Sequence, residues 1–209
     1  MLEKLIQILK TKDLRKKIFF VLALMAVFRV AAVIPVPGID VSRLQSFFEG
    51  NQFFGLLNIF SGGALDNLSI VMLGVGPYIT ALIIMQLLTM IFPQLKELYQ
   101  GEGEQGRQKF NQYTRLLTIP LAGLQGYGLL ALLQNQNVID RLDLFSLITN
   151  LSVITAGTVF LMWIGELISE KKIGNGISLL IFAGIIAALP TQMRQFFLNF
   201  DPSMIPTVI

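Results

Sequence analysis

The chain has 209 residues, of which 54% are hydrophobic and only 14% charged, with a formal net charge of +3 and a mean hydropathy of +0.67. Soluble domains carry about a quarter charged residues, so this composition excludes an ordinary water-soluble globule and predicts a chain that crosses a membrane several times. Cysteine and histidine are both missing, which excludes a disulfide framework, a thiolate metal site and the usual general base.

Residues 1–17 hold Lys4, Lys10, Lys12, Arg15, Lys16 and Lys17, with Leu2, Leu5, Ile6, Leu9 and Leu14 between them. The pattern reads as an amphipathic helix on the cytoplasmic membrane face or as a solvated basic tail. An apolar run begins only at Ile18 and no small-residue cleavage site follows it, so the start is not read as a signal peptide. The first span is expected over residues 18–34, where Pro35 and Pro37 end it. Arg29, towards the outer end of that span, either snorkels to the interface or pairs with an acid.

Residues 39–55 read as an outer loop of mixed polar and aromatic character. The following stretch, 56–70 (LLNIFSGGALDNLSI), is too short and too polar to span. It reads as a short re-entrant helix or as an outer loop helix. The second span, 74–92, starts at Gly74-Val75-Gly76-Pro77 and stops at Pro93. Such a break puts irregular backbone at membrane depth, which is tolerated only inside protein or beside a water-filled cavity. Residues 94–115 carry GEGEQGRQK (101–109) and are predicted to be an exposed, mobile loop.

Further spans are expected at 116–133, 147–168 and 176–189, with 191–209 returning to the outside. The last span lies in a second interrupted segment, Ile173 to Pro190. Two Gly/Pro-interrupted apolar segments point to a pathway through the membrane. Twelve lysines and arginines fall on the N-terminal side of the membrane, against Arg43, Arg141 and Arg194 on the other. The positive-inside rule therefore places the N-terminus in the cytoplasm.

Ile79 and Ile83 are four apart in the second span, as are Ile181 and Ile185 in the fifth. Each pair shares one helix face. Together they form a ring of stiff apolar side chains that closes by dewetting, or they face lipid and neighbouring helices.

Five stretches carry a family resemblance: IPVPGID (34–40), NIFSGGAL (58–65), LGVGPYITALIIMQLL (73–88), EGEQGRQKFNQYTR (102–115) and FLMWIGELISEKKIGNGISLLIFAGIIAALP (160–190). In this order they resemble the SecY family of protein-conducting channel subunits. The resemblance implies an all-α polytopic membrane protein: five transmembrane helices plus a short re-entrant plug helix, half of a ten-helix inverted-repeat channel. It makes residues 56–70 similar to the plug, with Phe60, Ser61, Gly62, Gly63, Ala64 and Leu65 in its quoted motif. Ile79, Ile83, Ile181 and Ile185 fall on pore-ring positions. Spans two and three fall on one side of a lateral gate that receives signal sequences. Arg107, Lys109 and Arg115 lie in a cytoplasmic loop that contacts the ribosome or the SecA motor, or anchors topology against anionic lipid.

The implied partners are SecE, SecG, SecA or the ribosome, nascent polypeptide, membrane lipid and the missing C-terminal half. The implied location is the bacterial plasma membrane, ahead of the plastid thylakoid, and no cofactor is implied. The chain departs from the family in lacking spans six to ten and the long cytoplasmic loops. It is therefore expected to be a fragment, or a half needing a separate partner, and its charge bias argues against a two-way homodimer. A small-solute transporter is the alternative. Against it, Glu166 is the only acid within a span and is expected to snorkel towards Lys171 or Lys172. An intramembrane enzyme fails for want of histidine, cysteine or paired aspartates within spans.

Overall fold

The computed structural model describes the backbone of residues 11–37, 61, 63–65, 67–101 and 103–198, and the side chains of these up to 187 and at 189. Residues 1–10, 38–60 and 199–209, with Gly62, Asp66 and Glu102, lie outside the described residues. They include Phe60 and Gly62 of the plug motif, the outer loop and most of the basic N-terminal segment.

Six helices form among the described residues: α1 (Lys12–Val33), α2 (Gly76–Ile91), α3 (Pro93–Gln100), α4 (Gly103–Asn135), α5 (Leu144–Glu170) and α6 (Gly176–Leu198). By length and composition α4 and α5 are long and apolar enough to cross a membrane, and α2 with α3 makes a third if that bent pair is one span. The apolar stretch of α1 is interrupted by charge at Lys16, Lys17 and Arg29.

Several boundaries differ from those expected. Lys12 to Lys17 are not a separate surface helix but the opening turns of α1. No glycine or proline intervenes before Ile18, and Lys17 pairs with Asp13 at 3.1 Å, one turn back. The expected mobile loop at 94–115 is helical, as α3 and the first third of α4. Phe92 is extended, and Pro93 opens α3, which turns 113° away from α2. Tyr99 of α3 then meets Phe110 of α4 with ring centroids 4.7 Å apart. That contact gives the polar stretch an apolar reason to fold. The last helix continues through Pro190 to Leu198 where an end at 189 was expected, since one proline removes a single N–H and a helix can persist around it.

A buried stripe explains why α4 is continuous. Gly106, Phe110, Thr114, Thr118, Ala122, Gly126 and Leu130 recur every fourth residue and are all buried. A step of four overshoots one helical turn by about 40°, so the stripe winds around α4. It serves α3 near its start, and α2 and α5 further along, all of which pack on this helix. Thr114 and Thr118 donate to the carbonyls of Phe110 and Thr114, so their hydroxyls are satisfied within the helix.

Between α1 and α2 the chain is not helical. Residues 63–75, as far as they are described, form consecutive turns, with Gly63, Leu68 and Gly74 at positive φ (80°, 39° and 58°). The expected re-entrant helix is therefore not formed over the described part of 61–70. The backbone is satisfied locally. Ser69 N–H donates to Ala64 O at 2.8 Å, Met72 N–H to Ser69 O at 2.9 Å, and Gly74 N–H to Val71 O at 2.8 Å. Two further bonds tie the segment to the end of α1: Val36 N–H to Leu68 O at 2.8 Å, and Ile70 N–H to Ile34 O at 2.9 Å. Leu68, Ser69, Val71 and Met72 are buried. Irregular backbone thus sits enclosed among helices, with the N–H groups of Leu68 to Met72 and of Gly74 bonded within the segment or to the end of α1, the kind of setting in which it is tolerated at membrane depth.

Two apolar clusters surround this segment. One joins Ala64, Val71 and Val75 to Phe28 of α1, Leu161 and Ile164 of α5 and Leu180 of α6. The other joins Leu65, Leu68 and Met72 to Leu130 and Leu133 of α4, Val138 and Ile139 of the connecting loop, and Ile154 of α5. At the start of α5 the Ser146 hydroxyl holds the Asp143 carboxyl below the usual carboxylate range.

Candidate functional site

The site is built around the irregular segment and the first turns of α2. Pro77 stands in the first turn of α2, where its missing N–H costs nothing. Ile79 follows one turn after the break. On α6, Asn175 Oδ1 accepts the N–H groups of Ile177 (3.0 Å) and Ser178 (3.3 Å), capping the helix that carries Ile181. Ile79 and Ile181 are both partly buried and pack against the same cluster as Ala64, Val71 and Val75. Ser61, Gly74, Val75, Leu180 and Ile181 line one small cleft. Two of the expected ring residues and two plug-motif residues, Ser61 and Ala64, are therefore brought together.

The remaining ring candidates lie one turn further along. Ile83 is 50% exposed, and Ile185 is half-buried on α6. Gly63 adopts the left-handed conformation and Leu65 is buried in the second cluster. The arrangement is apolar, and among the described residues no group of His, Cys, Asp or Glu gathers to hold a metal.

Two glycine contacts, one on α5 and one at the start of α6, set how closely the neighbours of α5 approach it. A Cβ on Gly157 would run into the Ile70 carbonyl, so the irregular segment lies directly on the α5 backbone. A Cβ on Gly176 would run into the Gly165 carbonyl, so α6 enters equally close to α5 at their corner. Ser169 completes that corner: its Oγ donates to Gly165 O at 2.9 Å and accepts from Gly176 N–H at 2.8 Å.

The cationic candidates divide. Arg107 and Lys109 are exposed on the polar third of α4. Arg115 instead donates from Nε to Glu166 Oε1 of α5 at 2.6 Å. This corrects the expectation that Glu166 turns towards Lys171 or Lys172. Lys171 lies over the Phe20 ring, 4.7 Å from its centroid, and Arg115 reaches Glu166 because α4 is already helical at that level. Sequence reading treated both charges separately, since residues 51 apart carry no local pairing signal. It also missed the contact between α4 and α2 in which Gln125 Nε2 donates to Thr80 Oγ1 at 3.4 Å. In a double-mutant cycle of Arg115→Met and Glu166→Gln, we expect a coupling of about 1 kcal/mol. The check is thermal unfolding in detergent followed by Trp163, the single tryptophan.

Long apolar helices enclosing a non-helical, internally bonded segment define a helical membrane protein with an apolar centre. The chain belongs to the SecY family, whose profile matches residues 69–209. It is 47% identical over 202 residues to the protein translocase subunit SecY of Corynebacterium glutamicum, covering 90% of this chain and 46% of that protein. The corresponding subunit of Vibrio cholerae is 47% identical over 189 residues, 88% of this chain and 42% of its own length. That of Mycobacterium leprae is 43% identical over 209 residues, with 93% and 47% covered. The chain spans about half the length of the curated relatives it matches.

Proposed function

We propose that this chain supplies the N-terminal half of a protein-conducting channel that passes unfolded secretory polypeptides and releases membrane segments sideways. The observation that carries the reading is the enclosed irregular segment, which brings Ser61 and Ala64 beside Ile79 and Ile181. In this reading five spans follow α1, α2, α4, α5 and α6, and residues 56–70 act as the plug. Ile79, Ile83, Ile181 and Ile185 form half of the pore ring. An apolar ring makes no strong hydrogen bonds with a passing chain, so it tolerates varied side chains and excludes ions by dewetting. The other half of the ring comes from a second, inverted set of five spans.

The function is conduction and not catalysis. The N-terminus faces the cytoplasm of a bacterial plasma membrane, as the charge bias supports. Arg107 and Lys109, exposed on the cytoplasmic arm of α4, meet the SecA motor or the ribosome; Arg115 is engaged with Glu166. SecE and SecG are the accompanying subunits. Transport energy comes from the motor or ribosome, since GEGEQG lacks the lysine and hydroxyl of a phosphate-binding loop. The opening equilibrium is close enough to balance for a signal sequence to shift it by modest differential affinity.

A photocrosslinker at Ile83, whose side chain is half-exposed, tests the reading. With a separately expressed second half and a stalled secretory chain, crosslinks to the stalled chain are expected. Without the second half, none are expected. Solute uptake with no crosslink in either case would support a small-solute transporter instead.

A further inference from the structure

An asparagine followed by glycine carries its own reaction. The backbone nitrogen of the glycine attacks the asparagine Cγ, loses its proton and expels the carboxamide nitrogen as ammonia, closing a five-membered succinimide. Water then opens the ring at either carbonyl, leaving aspartate or an isoaspartyl linkage. Glycine favours the attack because it has no Cβ to shield its nitrogen or restrict its backbone. Asn175, followed by Gly176, is the only asparagine of this chain in that position.

Asn175 is exposed in the turn between α5 and α6, so water reaches it. Both reacting groups are nevertheless held. Asn175 Oδ1 accepts the N–H groups of Ile177 at 3.0 Å and Ser178 at 3.3 Å, which fixes the carboxamide over the first turn of α6. The nitrogen that would attack, that of Gly176, donates to Ser169 Oγ at 2.8 Å. Ser169 Oγ in turn donates to Gly165 O at 2.9 Å, and such a chain strengthens both bonds. Gly176 is buried, and a Cβ there would run into the Gly165 carbonyl, so the peptide has little room to turn. Attack on Cγ requires the Gly176 nitrogen to leave Ser169 and the carboxamide to leave its cap.

We infer that Asn175–Gly176 is a site of spontaneous deamidation, and that Ser169 keeps it silent by holding the Gly176 N–H. Ser169 is a positioning residue in this role. The two products differ in consequence. Aspartate at 175 keeps the cap, since a carboxylate oxygen accepts the same N–H groups and negative charge is favourable at a helix N-terminus. The isoaspartyl product routes the main chain through the side-chain carbons and lengthens it by one methylene. That breaks the cap and shifts Gly176 from Gly165, so α6 loses its fixed entry against α5. None of this depends on the channel reading.

The test follows Asn175 in the 209-residue chain held in lipid nanodiscs at mildly alkaline pH. Trypsin releases residues 173–194, in which Asn175 is the sole asparagine. Mass spectrometry reads the change from carboxamide to carboxylate, and labelling by an isoaspartate methyltransferase reads the isoaspartyl share. Ser169→Ala is expected to speed deamidation roughly tenfold, the weight of one hydrogen bond. Ser152→Ala, which removes a hydroxyl bonded elsewhere in α5, is expected to leave the rate unchanged. In denaturant the parent chain and Ser169→Ala are expected to react equally fast, and faster than in nanodiscs. Hydrogen exchange at the Ile177 and Ser178 amides separates release of Gly176 from general loosening, and is expected to stay unchanged in Ser169→Ala. An unchanged deamidation rate in Ser169→Ala, or a rise accompanied by faster exchange at both amides, overturns the role of Ser169. Intact Asn175 in the denatured chain overturns the site itself.

Discussion

Gly157→Ala is expected to destabilise the protein by about 3 kcal/mol, the upper range for overpacking. The added methyl group would occupy the place of the Ile70 carbonyl oxygen. That oxygen cannot swing away, because the N–H of Ile70 is bonded to Ile34 O at 2.9 Å and Val36 N–H is bonded to Leu68 O at 2.8 Å. Relief requires the whole turn segment to move off α5 and break those bonds. Gly128→Ala is the matched control: it also adds a methyl group to a helical glycine, but one that meets no neighbour within 4 Å. Helix propensity alone then favours the alanine, by up to about 1 kcal/mol. Thermal unfolding in detergent, read by Trp163 fluorescence, separates the two. Equal melting temperatures for the two variants would show that the contact at Gly157 carries no such weight.

Gly176→Ala is expected to cost a similar amount, about 3 kcal/mol, and to displace α6. Its methyl group would meet the Gly165 carbonyl, and the Ser169 hydroxyl that joins Gly165 O to Gly176 N–H would lose its geometry. The displacement reaches the site because Ile181 stands little more than one turn further along α6. The chain contains no cysteine, so Ile79→Cys with Ile181→Cys makes a clean reporter pair for a short bifunctional thiol crosslinker. Crosslinking is expected in the parent chain and lost with Gly176→Ala. Retention of the crosslink would show that α6 keeps its place despite the added methyl group.

The apolar runs and proline stops were legible because they are local properties. Pro35 ends α1 within two residues, Pro77 opens α2, and Pro93 marks the bend. The irregular entry to α2 followed from Gly74-Val75-Gly76-Pro77 in the same way. The polar stretch 94–115 was misread because glycines and charges were weighed above spacing. Gly106, Phe110 and Thr114 already continue the four-residue step of the apolar helix that follows. The turns at 63–75 were not legible, since their form depends on long-range bonds to Ile34 and Val36 and on the bare backbone of Gly157. The ring candidates were legible as two isoleucine pairs. That Ile79 and Ile181 share one cluster depends on how α6 meets α5 at Gly165, which no residue pattern announces.

The unbroken course of α4 has a mechanical consequence. Its 33 residues make a rod of about 50 Å, while a bilayer core is about 30 Å thick. Roughly 20 Å of the rod therefore stands outside the membrane, braced by α3 through Tyr99 and Phe110. Pro120 sits near the midpoint of the rod without interrupting it. A sideways force on the outer arm is delivered as torque about that point, with no need for a chain of small rearrangements. The inner arm, which carries Gln125 against Thr80 of α2, turns with it.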